Sequence, residues 1–217
     1  MENYHALMQK TYDQGINQLN KRTGEVCRFL VGEQIEYDVS VLFPAVTSKK
    51  LAFKGMKGEL LGFFRGLDNA ADFRALDCHI WDQNANETVA WLNNPYRKGT
   101  DDLGRIYGVQ WTRWRDRRFV GFDEFNRLVP DENSEYKCLG HFYNSQTNST
   151  QWIIEREINQ LENALRTIIT DPSNRRIIVN GWNVAELDQM ALVPCHMSYH
   201  FVPVIDTMTL NLVMVIR

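Results

Sequence analysis

Tyr4, Leu7, Met8, Thr11 and Tyr12 fall at helical spacing and predict an amphipathic helix over residues 2–15. Lys21-Arg22-Thr23-Gly24 reads as a loop, and strands are expected at 27–30 and 34–40, where Ile35, Tyr37 and Val39 alternate with polar residues. Phe43-Pro44 breaks that pattern. Helical spacing returns over 51–65 through Phe53, Met56, Leu60 and Phe64, with Glu59 set inside the apolar run. The middle of the chain is polar: 84–102 reads as a long excursion, and 115–150 as loop with one short element near 119–128. Ile154, Ile158, Leu161, Leu165 and Ile168 form one stripe and predict a helix over 151–169, ended by Asp171-Pro172. Strands follow at 177–179, 199–204 and 209–216; the last is apolar on both sets of alternate positions, so both of its faces are expected to be covered. Helices and strands mix without regular βαβ alternation, which predicts an α+β fold.

With 217 residues, the chain is long enough for a single domain with a sizeable core, with the two polar stretches as insertions. A net charge of -3 supplies no global field for nucleic acid, so an anionic ligand must be held by local arginines. No stretch is long and apolar enough to span a bilayer, and the N-terminus lacks the basic and apolar regions of an export signal. Cys27, Cys78, Cys138 and Cys195 are scattered, with no C-x-x-C pair, which fits a reducing cytoplasm better than a disulfide framework or zinc knuckle.

The chemistry concentrates in the C-terminal quarter. Arg175 and Arg176 stand side by side after Asp171-Pro172-Ser173-Asn174, and Pro194-Cys195-His196 follows Trp182-Asn183. Paired guanidiniums offer planar forks of donors that suit a phosphate dianion, although such a pair also fits a solvated strand start. A Cys beside a His fits a nucleophile, since the thiolate is the reactive form; a lone Cys equally fits a core thiol. Glu59 also fits a rim carboxylate, and Trp81 and Trp182 fit core aromatics. His196 and His200 share helical metal spacing, but on a strand they point to one face too far apart for one ion, and no third ligand is evident, so no metal is expected.

Taken together, the ordered motifs resemble the thymidylate synthase family, which includes the deoxypyrimidylate hydroxymethylases. The strongest match runs through Asp171–Val179, Trp182–Leu187 and Met190–His196; Arg22-Thr23-Gly24, Phe43–Thr47, Glu59-Leu60-Leu61, Ile80-Trp81-Asp82 and Leu103–Trp111 support it. The resemblance implies a mixed β-sheet covered by helices, with a sheet face used for homodimerisation. It places Cys195 on the nucleophile that adds to C6 of the pyrimidine, and Glu59, Tyr107 and His196 on the network that handles protons. Arg22 and Arg217 fall on phosphate ligands, and Arg175 and Arg176 on the pair donated across the dimer to the partner's phosphate. Trp81, Ile80 and Leu192 fall on positions that pack against the folate and the reacting ring. The implied reaction is reductive methylation of dUMP to dTMP, with 5,10-methylenetetrahydrofolate supplying both carbon and hydride. A hydroxymethylase acting on dUMP or dCMP and a non-catalytic nucleotide-binding remnant are the alternatives.

Some positions depart from the family pattern. Glu25-Val26-Cys27 follows Thr23-Gly24 in place of a second Thr-Gly step, Gly62 stands where a Trp is common, and Asn84 stands where a second folate-facing Trp is common. The pattern also continues past Arg217 with a phosphate-binding Ser, an Asp and an Asn that chooses uracil over cytosine. The resemblance therefore covers roughly the first two-thirds to three-quarters of a family member, and a chain standing alone at that length is expected to turn over weakly or not at all.

Overall fold

The structure is a computed structural model that describes residues 2–21, 24–41 and 43–216. It divides into two compact units, residues 1–53 and 54–217. In the first, helix α1 (Glu2–Gln14) precedes an antiparallel hairpin of β1 (Ile16–Leu19) and β2 (Val26–Phe29). The Arg28 guanidinium donates to the Tyr12 carbonyl and lies 5.7 Å from that ring's centroid, and Lys10 pairs with Glu33 at 2.7 Å. The expected strand over 34–40 is irregular backbone instead. Its alternation finds no neighbouring strand among the described residues, and an unpaired strand leaves its amides to water.

The second unit is built around aromatic residues. Helix α2 (Phe53–Phe64) begins at the boundary, and its glycines let the following segment approach closely. A Cβ on Gly58 would lie 2.2 Å from the Leu76 carbonyl oxygen, and one on Gly62 would lie 2.2 Å from Phe73 Cε1. Phe73 thus packs directly against Gly62. Short helices α3 (Ala70–Arg74), α4 (Asp82–Asn86) and α5 (Val89–Leu92) follow. The stretch expected as a polar excursion is therefore ordered. Trp91 is fully buried with its indole N–H on the Asp102 carbonyl, and Arg74 forks between Asp82 (2.7 Å) and Asp101 (2.8 Å).

After α6 (Tyr107–Thr112) comes β3 (Trp114–Val120), then α7 (Phe122–Leu128), β4 (Lys137–Asn144) and β5 (Ser149–Ile158). The three strands form one antiparallel sheet, β3-β5-β4, with its own small core of Val120, Tyr136 and Ile154. Two expectations fail here. The supposed loop at 115–150 holds most of β3, all of β4 and the start of β5, with α7 as the short element expected near 119–128; across the sheet Arg117 meets Glu155 and Arg156 meets Asp116, which also holds Arg118. The supposed helix over 151–169 is strand up to Ile158 and helix α8 only from Gln160 to Thr170. Asn159 divides the two, its side chain accepting from the Glu162 N–H at 3.1 Å. Ile154 and Ile158 misled because a spacing of four is even and suits a strand face as well as a helix face. Leu165, assigned inward, is 62% exposed; Ala164 is buried in its place.

The last sheet, β6-β7-β8, comprises β6 (Ile178–Asn180), β7 (His196–Val204) and β8 (Thr209–Ile216), with α6 and α8 packed on β6. Every strand pairing among the described residues is antiparallel, in three separate sheets, which makes an α+β fold. The expected mixed sheet is not seen among them, since no βαβ crossover joins two neighbouring strands. The register shifts between His196 and Ser198, so His196 and Tyr199 sit opposite Ile216 and Met214 on one face, while His200 opposes Val213 on the other. This corrects the expectation that His196 and His200 share a face. Strand β8 is exposed along its whole length, including Leu210, Leu212, Val213, Met214 and Val215.

Candidate active site

Tyr107 opens the short helix α6, whose residues 107–111 are all buried. Its ring stacks on Phe63 at 4.8 Å and meets the edges of Trp81 at 5.8 Å and Trp111 at 6.4 Å, so the direction of its hydroxyl is fixed. That hydroxyl accepts from the backbone N–H of Cys195 at 2.7 Å. Pro194, fully buried, anchors the chain immediately before Cys195, and Cys195 itself is half-buried. Burial pushes the Tyr107 phenol well above its usual range, with the charges of Cys195 and Glu59 acting in the same direction.

Glu59 is half-buried on α2, and its charge reaches Tyr107, Tyr199 and Cys78. Burial raises its carboxyl pKa; the Trp81 indole N–H offsets part of that rise without meeting the geometry of a hydrogen bond. His196 packs edge-on against Tyr107 at 5.6 Å, and burial lowers its pKa, favouring the neutral imidazole. Four sequence-predicted residues, Cys195, Tyr107, His196 and Glu59, are thus brought together.

The other predicted residues lie in different settings. Trp81 is only 3% exposed, wedged against Phe63 and Phe73; Leu192 is half-buried against the main core; Ile80 presents open apolar surface at 51%. Arg175 and Arg176 are exposed on the turn after α8, where Ser173 and Asn174 both donate to Asp171 and the Arg176 N–H returns to Asn174. Among the described residues neither guanidinium has an ion-pair partner. Arg22 and Arg217 lie outside the described residues. No group of three or more His, Cys, Asp and Glu is placed to hold a metal ion among the described residues.

Sequence reasoning missed two features. Tyr199 meets Trp111 edge-on at 5.2 Å and His196 at 6.3 Å, and burial together with the Glu59 charge pushes its phenol up to about 12. No periodicity reveals it, because the β-bulge that turns it inward is a tertiary feature. The second is a buried polar cluster of Arg105, Gln110, Asn183 and Glu186. Gln110, fully buried, was legible as a polar residue inside the apolar run Ile106–Trp111.

The thymidylate synthase family model matches residues 2–217. The thymidylate synthases of Pseudomonas putida and Bordetella parapertussis are each 41% identical over 217 residues, which is all of this chain and 66% of theirs. That of Vibrio cholerae is 38% identical over 212 residues, 97% of this chain and 62% of its own. The chain therefore spans just under two-thirds of the length of these relatives. With the match running from the second residue to the last, the chain belongs to the thymidylate synthase family.

Proposed function

We propose that this chain carries the nucleophile and proton-handling half of a cytoplasmic thymidylate synthase, which methylates deoxyuridylate reductively to thymidylate. The observation that carries the reading is the bond from the Cys195 N–H to the buried Tyr107 hydroxyl, with Glu59 and His196 beside it. A bond to its backbone N–H fixes the Cα–Cβ direction of Cys195 and so limits the positions its sulfur can take, as attack on a ring carbon requires. The sulfur adds to C6 of the uracil ring, and the displaced electron pair spreads over C5 and O4.

The surrounding groups suit that charge. Tyr107 keeps its proton and remains a hydrogen-bond donor throughout the physiological range. Glu59, raised by burial, holds a proton closer to neutral pH than an exposed carboxylate does, and a neutral His196 neither repels nor competes with it. Methylenetetrahydrofolate, when bound, supplies the one-carbon unit and the hydride. Ile80, Trp81 and Leu192 would hold it: Ile80 offers exposed apolar surface, Leu192 is half-buried, and Trp81 packs into the aromatic core next to Ile80.

Arg175 and Arg176, exposed and without an ion-pair partner among the described residues, serve the phosphate of a second copy, so the working form is a homodimer with shared sites. The test is incubation of the full-length protein with deoxyuridylate and methylenetetrahydrofolate. Dihydrofolate absorbance rising with thymidylate supports the reading. Tetrahydrofolate appearing with a hydroxymethylated nucleotide replaces it with the hydroxymethylase.

A further inference from the structure

The polar cluster beneath the site has no part in the chemistry above, yet it joins the two segments that meet at Cys195 and Tyr107. Glu186, 7% exposed along its side chain, accepts from Arg105 Nε at 2.5 Å and from Gln110 Nε2 at 2.8 Å through Oε2. Arg115 approaches its other oxygen at 3.4 Å. Gln110 accepts in turn from Asn183 Nδ2 at 3.1 Å, and Asn183 caps the 3-10 turn Val184–Gln189 through the Ala185 N–H. Two backbone bonds staple the same segments: the Arg105 N–H to the Gln189 carbonyl at 2.8 Å, and the Ala191 N–H to the Leu103 carbonyl at 3.0 Å.

We infer that Glu186 is a positioning residue, which sets the register between the strap leading to Cys195 and the helix carrying Tyr107; this rests on the reading that those two residues act on a nucleotide. Three considerations carry it. Gln110 and Tyr107 belong to one six-residue helix, so a shift of Gln110 moves the Tyr107 hydroxyl with it. Glu186 lies nine residues before Cys195, within the strap itself. Finally, apolar residues of similar volume stabilise a core as well as or better than a buried ion pair. What they cannot supply is direction, and the bonds from Arg105 and Gln110 to Glu186 tie the strap to the segment that carries Tyr107.

The test measures kcat and KM for deoxyuridylate, at a temperature well below melting, in wild type, Glu186→Gln, Glu186→Asp, Arg105→Gln/Glu186→Gln and the exposed control Glu162→Gln. A positioning role predicts that kcat falls about 10- to 100-fold in Glu186→Gln with KM nearly unchanged, as expected for a small misplacement of reacting groups. The double variant, in which two amides pair without a buried unmatched charge, recovers most of the loss, and Glu162→Gln behaves as wild type. A folded Glu186→Gln with wild-type kcat overturns the inference, as does a folded double variant as slow as the single one. Should Glu186→Gln fail to fold, Glu186→Asp decides: it keeps the charge but shortens the reach, and full kcat in that variant overturns the inference. Full-length wild type, in which all of these variants are made, that forms no dihydrofolate refutes instead the reading on which the inference rests.

Discussion

Replacing Tyr107 by Phe isolates the contact on which the site is built. The ring remains, with its stack on Phe63 and its edge contacts to Trp81, Trp111 and His196, so packing is kept. Only the oxygen 2.7 Å from the Cys195 nitrogen is lost. An amide left without its acceptor costs about 1–3 kcal/mol when fully buried, and Cys195 is half-buried, so water replaces part of the bond and about 1 kcal/mol is expected. For a chain of this size that lowers Tm by about 2–4 °C. Turnover should respond far more. Losing one fixed donor at a site of developing charge typically costs 10²–10³-fold, or about 2.7–4 kcal/mol of barrier. Calorimetry and dihydrofolate absorbance measured on the same preparation separate the two effects. If the variant turns over within about twofold of wild type while its Tm drops, Tyr107 is a packing residue and the reasoning about the site fails.

Three further outcomes follow from the same geometry. Glu59→Gln should raise Tm at pH 7 while abolishing most turnover. The folded pKa of Glu59 lies above its ordinary 4.5, so stability is full below 4.5 and is lost as pH rises through the folded value; the gain should vanish near pH 3, where the carboxyl is protonated in both states, and equal gains at both pH values would contradict this. Gly62→Ala should lower stability despite a helix-propensity gain of roughly 1 kcal/mol, because the new Cβ meets Phe73 at 2.2 Å and overpacking costs about 1–3 kcal/mol; an unchanged or higher melting temperature would show that the ring yields. Mixing Cys195→Ser with Arg175→Ala/Arg176→Ala under subunit exchange should recover roughly a quarter of wild-type turnover, since about half the dimers are hybrids and each has one complete site; no recovery from demonstrated hybrids would reject shared sites.

Where local pattern agreed with tertiary packing, the sequence could be read correctly. Helix α2, with Glu59 inside it, and strands β6 to β8 lie close to where periodicity places them. The C-terminal half of the supposed long helix is real, and the Asn159-x-x-Glu162 cap marks its true start. The sheet β3-β5-β4 was hidden because its core of Val120, Tyr136 and Ile154, its cross-strand charge pairs and the Tyr136 ring lying 5.1 Å from Arg118 and 4.8 Å from Arg156 all join residues distant in sequence. Within the site, the family resemblance pointed to Cys195, Tyr107, Glu59 and His196 as candidates, but not to how they meet. That depends on the shift in β7 register and on the aromatic stack under Tyr107, both set by distant partners.

The proposed chemistry requires the Cys195 sulfur to bond to the ring of a deoxyuridine nucleotide. Intact-mass and peptide mass spectrometry of the full-length protein with 5-fluorodeoxyuridylate and methylenetetrahydrofolate tests it most directly. A covalent adduct is expected on the peptide containing Cys195 and absent from Cys195→Ser. A folded wild-type protein that forms no adduct, or one that carries it on Cys27, Cys78 or Cys138, would contradict it.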